Sequence, residues 1–251
     1  MRRKMLDFVK WLVLGIIGLC IGIFSLQEPL PQIDASTSRE ADLWAKKIES
    51  SIDKEAWDRT DIVKWTFANH NHIWDKRRKL HLLQSNNNTT IQSLHSRKGI
   101  IQKDSKGWIH AMQKEKDRSY EAWINDSFWL NPLTKLFDEG TQRYIVESNN
   151  TKGLMVSYMK GGITPGDSYV WFTDEKNKPI RWKMWVSIIP IGGVENTWEN
   201  WKKLPTGAWI STKHDFGPVS LTISNVKGGS LQDLFDQDPF APFCSLFPED
   251  C

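Results

Sequence analysis

A chain of 251 residues with 25% charged and 39% hydrophobic residues has the balance of a folded globular protein, not of a disordered one. Its formal charge of +3 is carried by Arg2, Arg3, Lys4 and Lys10 against Asp7, so the remainder is neutral, and a neutral body without a basic stripe excludes nucleic acid as a partner. Fourteen tryptophans set the chain apart, because so many large rings need a core or an apolar binding face to occupy.

Residues 8–26 are apolar apart from Lys10 and would span about 28 Å as a helix, enough to cross a bilayer. Arg2, Arg3 and Lys4 precede them and hold that end in the cytoplasm. The expected location is therefore the bacterial inner membrane, single-pass, with the C-terminal domain in the periplasm. Ile23-Phe24-Ser25 is a poor cleavage site, which favours an uncleaved anchor over residues 1–26. Leu19 before Cys20 departs from lipoprotein signals, so Cys20 reads as a buried membrane cysteine.

Residues 27–37 contain Pro29 and Pro31 and read as a linker. Thr37 followed by Glu40 has the form of a helix N-cap with a capping box, and Trp44, Ile48, Ile52 and Ala56 then recur at helical spacing as one apolar stripe. From Asp61 the period changes to two, with Val63, Trp65 and Phe67 on one face and Lys64 and Thr66 on the other. Further strands are expected at 80–83, 107–111, 144–147, 154–159, 168–173, 180–189, 207–212 and 219–224. Many are bounded by turn residues such as Gly161-Gly162, Pro165-Gly166-Asp167 and Asn177-Lys178-Pro179. Short connections of this kind require antiparallel pairing. Residues 113–124 are helix-forming, and a second short helical or irregular stretch is expected from Asn125. The predicted fold is mainly β with α: a curved antiparallel sheet, a half-barrel, with helices packed on one face and a transmembrane helix before it.

The element order resembles the LolA/LolB-like lipoprotein-carrier fold over residues 38–226. Residues 61–67 with His72-Ile73-Trp74-Asp75 are similar to its opening hairpin, and Asn125-Asp126-Ser127-Phe128-Trp129-Leu130 is similar to an insertion in envelope proteins of this fold. Tyr169-Val170-Trp171 and Pro179-Ile180-Arg181-Trp182-Lys183-Met184 resemble its later paired strands. The resemblance implies acyl chains held between a half-closed barrel and a helical lid. An uncleaved anchor departs from a freely moving carrier, and the tail from residue 227 has no counterpart in it.

Alternation puts Trp65 with Phe67, Tyr169 with Trp171, and Trp182 with Met184 each on one face of a strand. These six side chains are the expected ligand-binding apolar face, the alternative being that they fill the core. His70 and His72 flank Asn71 and would share a face of a strand, permitting a two-histidine metal site completed by Asp75 or His81. The same residues also suit a hairpin loop, and the reading adopted assigns no metal and no cofactor. His214-Asp215 resembles half of a catalytic pair, but no framed nucleophile accompanies it, so no catalytic residue is assigned. The run Lys76-Arg77-Arg78-Lys79 reads as a solvated turn. Residues 227–251 form an acidic tail bearing Phe240, Phe243 and Phe247, expected to fold back over the body, with Cys244 and Cys251 paired in an oxidising compartment.

The functional expectation is a non-enzymatic, membrane-anchored periplasmic module holding an acyl chain, a lipoprotein or an apolar peptide. The alternative is a structural or assembly subunit of a cell-envelope complex, whose partner would be an envelope membrane protein.

Overall fold

The computed structural model describes residues 27–148 and 150–251. The expected membrane helix lies outside these, and among the described residues no helix is long and apolar enough to cross a membrane.

Two helices open the described chain, α1 (Ser38–Ser51) and α2 (Lys54–Asp58). The break between them falls at Asp53, which takes φ +52° and caps α2 by accepting from the Ala56 amide. The apolar stripe of this pair is Ala41, Ala45, Ile48, Ile52 and Ala56, all fully buried, whereas Trp44 sits at its edge. The expected capping box does not form. Thr37 Oγ1 instead donates to the Asp34 carbonyl and accepts from the Ile145 amide, tying the helix start to the sheet.

Six strands follow as a meander: β1 (Ile62–Phe67), β2 (His70–Asp75), β3 (Leu80–Ser85), β4 (Asn88–Ser93), β5 (Gly99–Lys103) and β6 (Ile109–His110). The helix α3 (Gln113–Leu130) is continuous where two elements were expected, because Asn125, Asp126 and Ser127 find partners that offset their weak helix propensity. Then come β7 (Thr141–Ser148), β8 (Thr151–Tyr158), β9 (Ser168–Thr173), β10 (Pro179–Trp185), β11 (Val194–Thr197), β12 (Glu199–Lys203), β13 (Trp209–Phe216) and β14 (Val219–Gly229).

All pairings are antiparallel, in the orders β12-β13-β14-β1-β2-β3-β4-β5-β6 and β11-β10-β9-β8-β7. The two sheets meet at Trp198, which separates β11 from β12 in one extended segment. Its amide donates to the Ile180 carbonyl on one side, while the Asp215 amide donates to Thr197 Oγ1 on the other. The sheets are curved but not closed, with β6 and β7 as free edges.

Helices α1, α2 and α3 cover one face. Beneath α1 and the C-terminal end of α3 lies a core of Leu154, Val156, Trp171, Trp182 and Trp198. Beneath α2 lies a second, of Val63, Trp65, Ile210 and Ile223, and Trp129 packs against both. On the opposite face the C-terminal tail covers β3–β5. Phe240 and Phe243 are fully buried against Leu80, Leu82, Ile91 and Ile100, so the tail folds back onto β3–β5. Its short helices α4 (Leu231–Leu234) and α5 (Ala241–Cys244) lead to the Cys244–Cys251 disulfide. Arg78, in the turn read as solvated, holds the tail by hydrogen bonds to both carboxylate oxygens of Asp238 at 2.7 and 3.0 Å.

Upstream of α1, the Glu28 amide donates to the Gly192 carbonyl. Its carboxylate accepts from Lys183 Nζ at 2.7 and 2.8 Å, and its carbonyl accepts from Trp185 Nε1.

Candidate functional site

Two features of the helix-covered face carry chemistry, and α3 builds a wall of both. The first is a cleft of about 420 Å³ between the C-terminal half of α3, strands β9 and β10, and the loops 159–167 and 186–193. Tyr169, Trp182 and Met184 form its floor, Phe128 and Trp129 one wall. The rings interlock: Phe128 lies 5.0 Å from Tyr169, Trp129 meets Trp182 edge-on at 5.3 Å, and Tyr169 stacks on Trp182 at 4.6 Å. At the mouth, Ile163 and Ile188 are 49% and 70% exposed, beside Lys135, Lys160, Asp138 and Glu139. Gly161 and Gly162, at φ +76° and +65°, make the bends that fold the rim loop over the opening.

Two hydrogen-bond donors in this lining, Tyr158 Oη and Trp182 Nε1, have no partner among the described residues. Burial pushes the Tyr158 and Tyr169 phenols above their ordinary values, so both remain neutral donors.

Of the six residues read as a binding face, Tyr169, Trp182 and Met184 line the cleft. Trp171 lies one layer deeper, fully buried between Trp182 and Trp198. Trp65 belongs to the neighbouring core, stacked on the His72 ring at 4.4 Å, and Phe67 stands 6.5 Å from Trp129. Phe128, Trp129, Tyr158 and Ile188 also line the cleft and lie outside the face expected from strand alternation. Phe128 and Trp129 had a signal, adjacent aromatics at the end of a helix, whereas Ile188 had none.

The second feature is a buried polar cluster under the middle of α3. Period-two geometry sends His70 and His72 from β2 toward the helix, where Asp126 Oδ2 accepts from His70 Nδ1 at 2.7 Å and His72 Nε2 at 2.9 Å. His72 Nδ1 lies 2.9 Å from His81 Nε2 on β3, and Ser119 Oγ is 3.5 Å from His81 Nδ1. Asn125 Nδ2 donates to the other carboxylate oxygen, Asp126 Oδ1, at 2.8 Å. Asp75, one of the two third partners weighed for this histidine pair, points to the opposite face and binds Arg78, as its odd place in the alternation requires. His81 stands behind His72 and not beside it; the carboxylate comes from a helix more than fifty residues away.

Burial lowers the basicity of His72 against the opposing pull of Asp126, and burial together with His72 and His70 lowers that of His81 still further. Burial alone would raise the Asp126 carboxyl, but donors from His72, His70 and Asn125 outweigh it and hold it below its ordinary value. The resulting state is a carboxylate facing the neutral imidazole of His72, with that of His81 behind it.

His214 and Asp215 do not form a catalytic pair. They project to opposite faces of β13, with His214 Nδ1 donating to the Thr197 carbonyl at 3.1 Å and Asp215 accepting from Lys213 at 2.5 Å.

No family model and no curated protein matches the chain. Among solved structures, the crystal structure of a DUF1329 family protein from Desulfovibrio piger ATCC 29098 is similar at 10% identity, covering 81% of this chain and 96% of that one with a TM-score of 0.42.

Proposed function

We propose that the protein is a membrane-anchored periplasmic binding module that holds one acyl chain of a lipid or lipoprotein in the aromatic cleft under α3. The observation that carries this reading is the run of apolar side chains from the core to solvent: Trp182 and Met184 buried at its base, Ile189 partly buried midway, Ile163 and Ile188 exposed on the rim. An amphiphile entering a pocket needs such a path, since its tail is otherwise stranded in water between bilayer and floor. The volume lies within the range of about 300–1,000 Å³ usual for small-molecule sites. Tyr158 Oη and Trp182 Nε1 are buried without a partner among the described residues, and the ester or carboxyl oxygen of an acyl chain would satisfy them once a side chain of the cleft moved aside to admit it. The LolA/LolB-like order of elements and the apolar segment 8–26 agree with this role. Binding is reversible burial without covalent chemistry, and α3 is the wall that must yield.

The test is native mass spectrometry of the full-length chain extracted from bacterial envelope, under conditions that strip detergent. An acyl-bearing adduct on the wild type that is lost in Ile188→Asp supports the reading. A clean unliganded mass for the wild type turns the assignment to an assembly subunit of an envelope complex, and co-purification of another membrane protein in fixed stoichiometry would identify the partner.

A further inference from the structure

We propose that His70, His72 and Asp126 are the ligands of a divalent transition-metal ion of the zinc class, bound between β2 and α3 and oriented by His81 and Asn125. The inference does not depend on the acyl-chain reading.

Ligand type and placement come first. Two imidazoles and a carboxylate are the donor set that suits zinc and its first-row neighbours, and three protein ligands leave coordination positions for water. The three donor atoms, His70 Nδ1, His72 Nε2 and one Asp126 oxygen, lie within 4.8 Å of one another. Ligand atoms about 2.0–2.2 Å from a tetrahedral ion are about 3.4 Å apart. The two nitrogen-to-oxygen separations, 2.7 and 2.9 Å, are those of hydrogen bonds and must open by about half an ångström to admit the ion. His70 is the ligand that must swing inward, and with 29% of its side chain exposed it has room to do so and gives the ion a path from solvent.

Each of the two buried ligands also has the partner a metal ligand needs behind it. Asn125 occupies Asp126 Oδ1 and leaves Oδ2 facing the histidines. His81 occupies the far nitrogen of His72, which fixes the ring's rotation and tautomer. The hydrogen-bond chain is satisfied in either direction. Without an ion, Ser119 donates to His81, His81 to His72, and His72 to Asp126. With an ion on His72 Nε2, the same chain reverses: His72 Nδ1–H donates to His81 Nε2 and His81 Nδ1–H to Ser119 Oγ. No proton is gained or lost from the pair of rings; each changes tautomer. A pair of buried rings that can carry the chain in either direction is ready to exchange a hydrogen bond for a metal bond, with only the Ser119 hydroxyl proton left to turn to a new acceptor.

The ion would join a strand to the helix that forms the cleft wall, since Asp126 precedes Phe128 by two residues on α3. Binding to the folded chain alone would then stabilise that helix in place.

The test uses Co²⁺ as a spectroscopic probe on the full-length chain, with Zn²⁺ as competitor. One equivalent of Co²⁺ should give the visible ligand-field bands of a low-symmetry nitrogen and oxygen site, which Zn²⁺ abolishes. His70→Ala and Asp126→Asn should each remove the bands, while His81→Phe keeps the ligands and weakens binding by about 10–100-fold, the usual effect of losing the group that orients a metal ligand. His70→Ala alters the most exposed member, so a folded variant, checked by circular dichroism, is available even where Asp126→Asn fails to fold. Absence of stoichiometric Co²⁺ or Zn²⁺ binding by the wild type, or bands that persist in His70→Ala, would overturn the assignment and leave the cluster a hydrogen-bonded core.

Discussion

Replacing Phe243 by alanine tests whether the tail belongs to the folded body. Its ring is fully buried against Leu80, Leu82, Ile91, Ile100 and Phe240, and lies 5.0 Å from the Phe247 ring. Returning a fully buried aromatic ring to water costs about 1.5–3 kcal/mol. The space it leaves adds to this, because β3, β4 and β5 are fixed by their ladders and cannot collapse into it. The usual total for such a truncation is about 3–5 kcal/mol. Urea unfolding followed by far-ultraviolet circular dichroism should therefore show the midpoint falling by about 1–2 M at an unchanged slope near 2–3 kcal/mol per molar. Leu246→Ala, at a half-exposed position of the same tail, is the control and should move stability by no more than about 0.5 kcal/mol. A loss below about 1 kcal/mol for Phe243→Ala would mean that the tail opens independently of the sheet, and the burial argument for the third core would fail.

His214 makes stability depend on pH. Burial drops its pKa to about 4, against an ordinary value near 6.5, so between those values the unfolded chain binds a proton that the folded chain refuses. Stability is intact above pH 6.5 and falls on acidification, by about 3 kcal/mol at pH 4, and denaturant titrations of the wild type and His214→Asn should diverge by that amount across this window and not above it. Reducing the Cys244–Cys251 bridge, with a sequence separation of 7, should cost about 2.4 kcal/mol on the loop-entropy estimate, read as a downward shift of the same urea transition in dithiothreitol. Ile188→Asp, at a 70% exposed rim position, should leave that transition within about 0.5 kcal/mol of the wild type, so its loss of a lipid adduct would report entry and not unfolding.

The parts of this architecture that could be read from the chain are those where apolar side chains face a helix. Trp65 and Trp182 alternate with polar neighbours, and β1 and β10 follow from that pattern, whereas β9 shows as a continuous apolar run, Tyr169 to Phe172, bounded by turn residues. No strand is expected from the sequence between residues 83 and 107, where β4 and β5 lie. The helix-facing side of β4 carries Thr90 and Gln92, both buried, which look like surface residues to any count of hydrophobicity. The opposite face of the same strands is apolar only because the tail covers it, a contact spanning about 150 residues of chain. The polar cluster was half legible for the same reason. His70 and His72 announce themselves by spacing, but nothing in Asn125-Asp126-Ser127 says that its carboxylate will descend onto them, since that depends on α3 running unbroken to Leu130. Three of the six aromatic and thioether positions reach the cleft and three do not, because alternation fixes a face but not the depth at which a side chain stops.

The ties at Glu28 and Thr37 change what the segment before α1 is. Eleven free residues would leave the start of that helix loose against the sheet, but Lys183 and Trp185 hold Glu28, and the Ile145 amide holds Thr37. Residues 28–37 therefore run as a strap fastened at both ends, one to β10, the strand whose front carries Trp182 and Met184, and the other to β7.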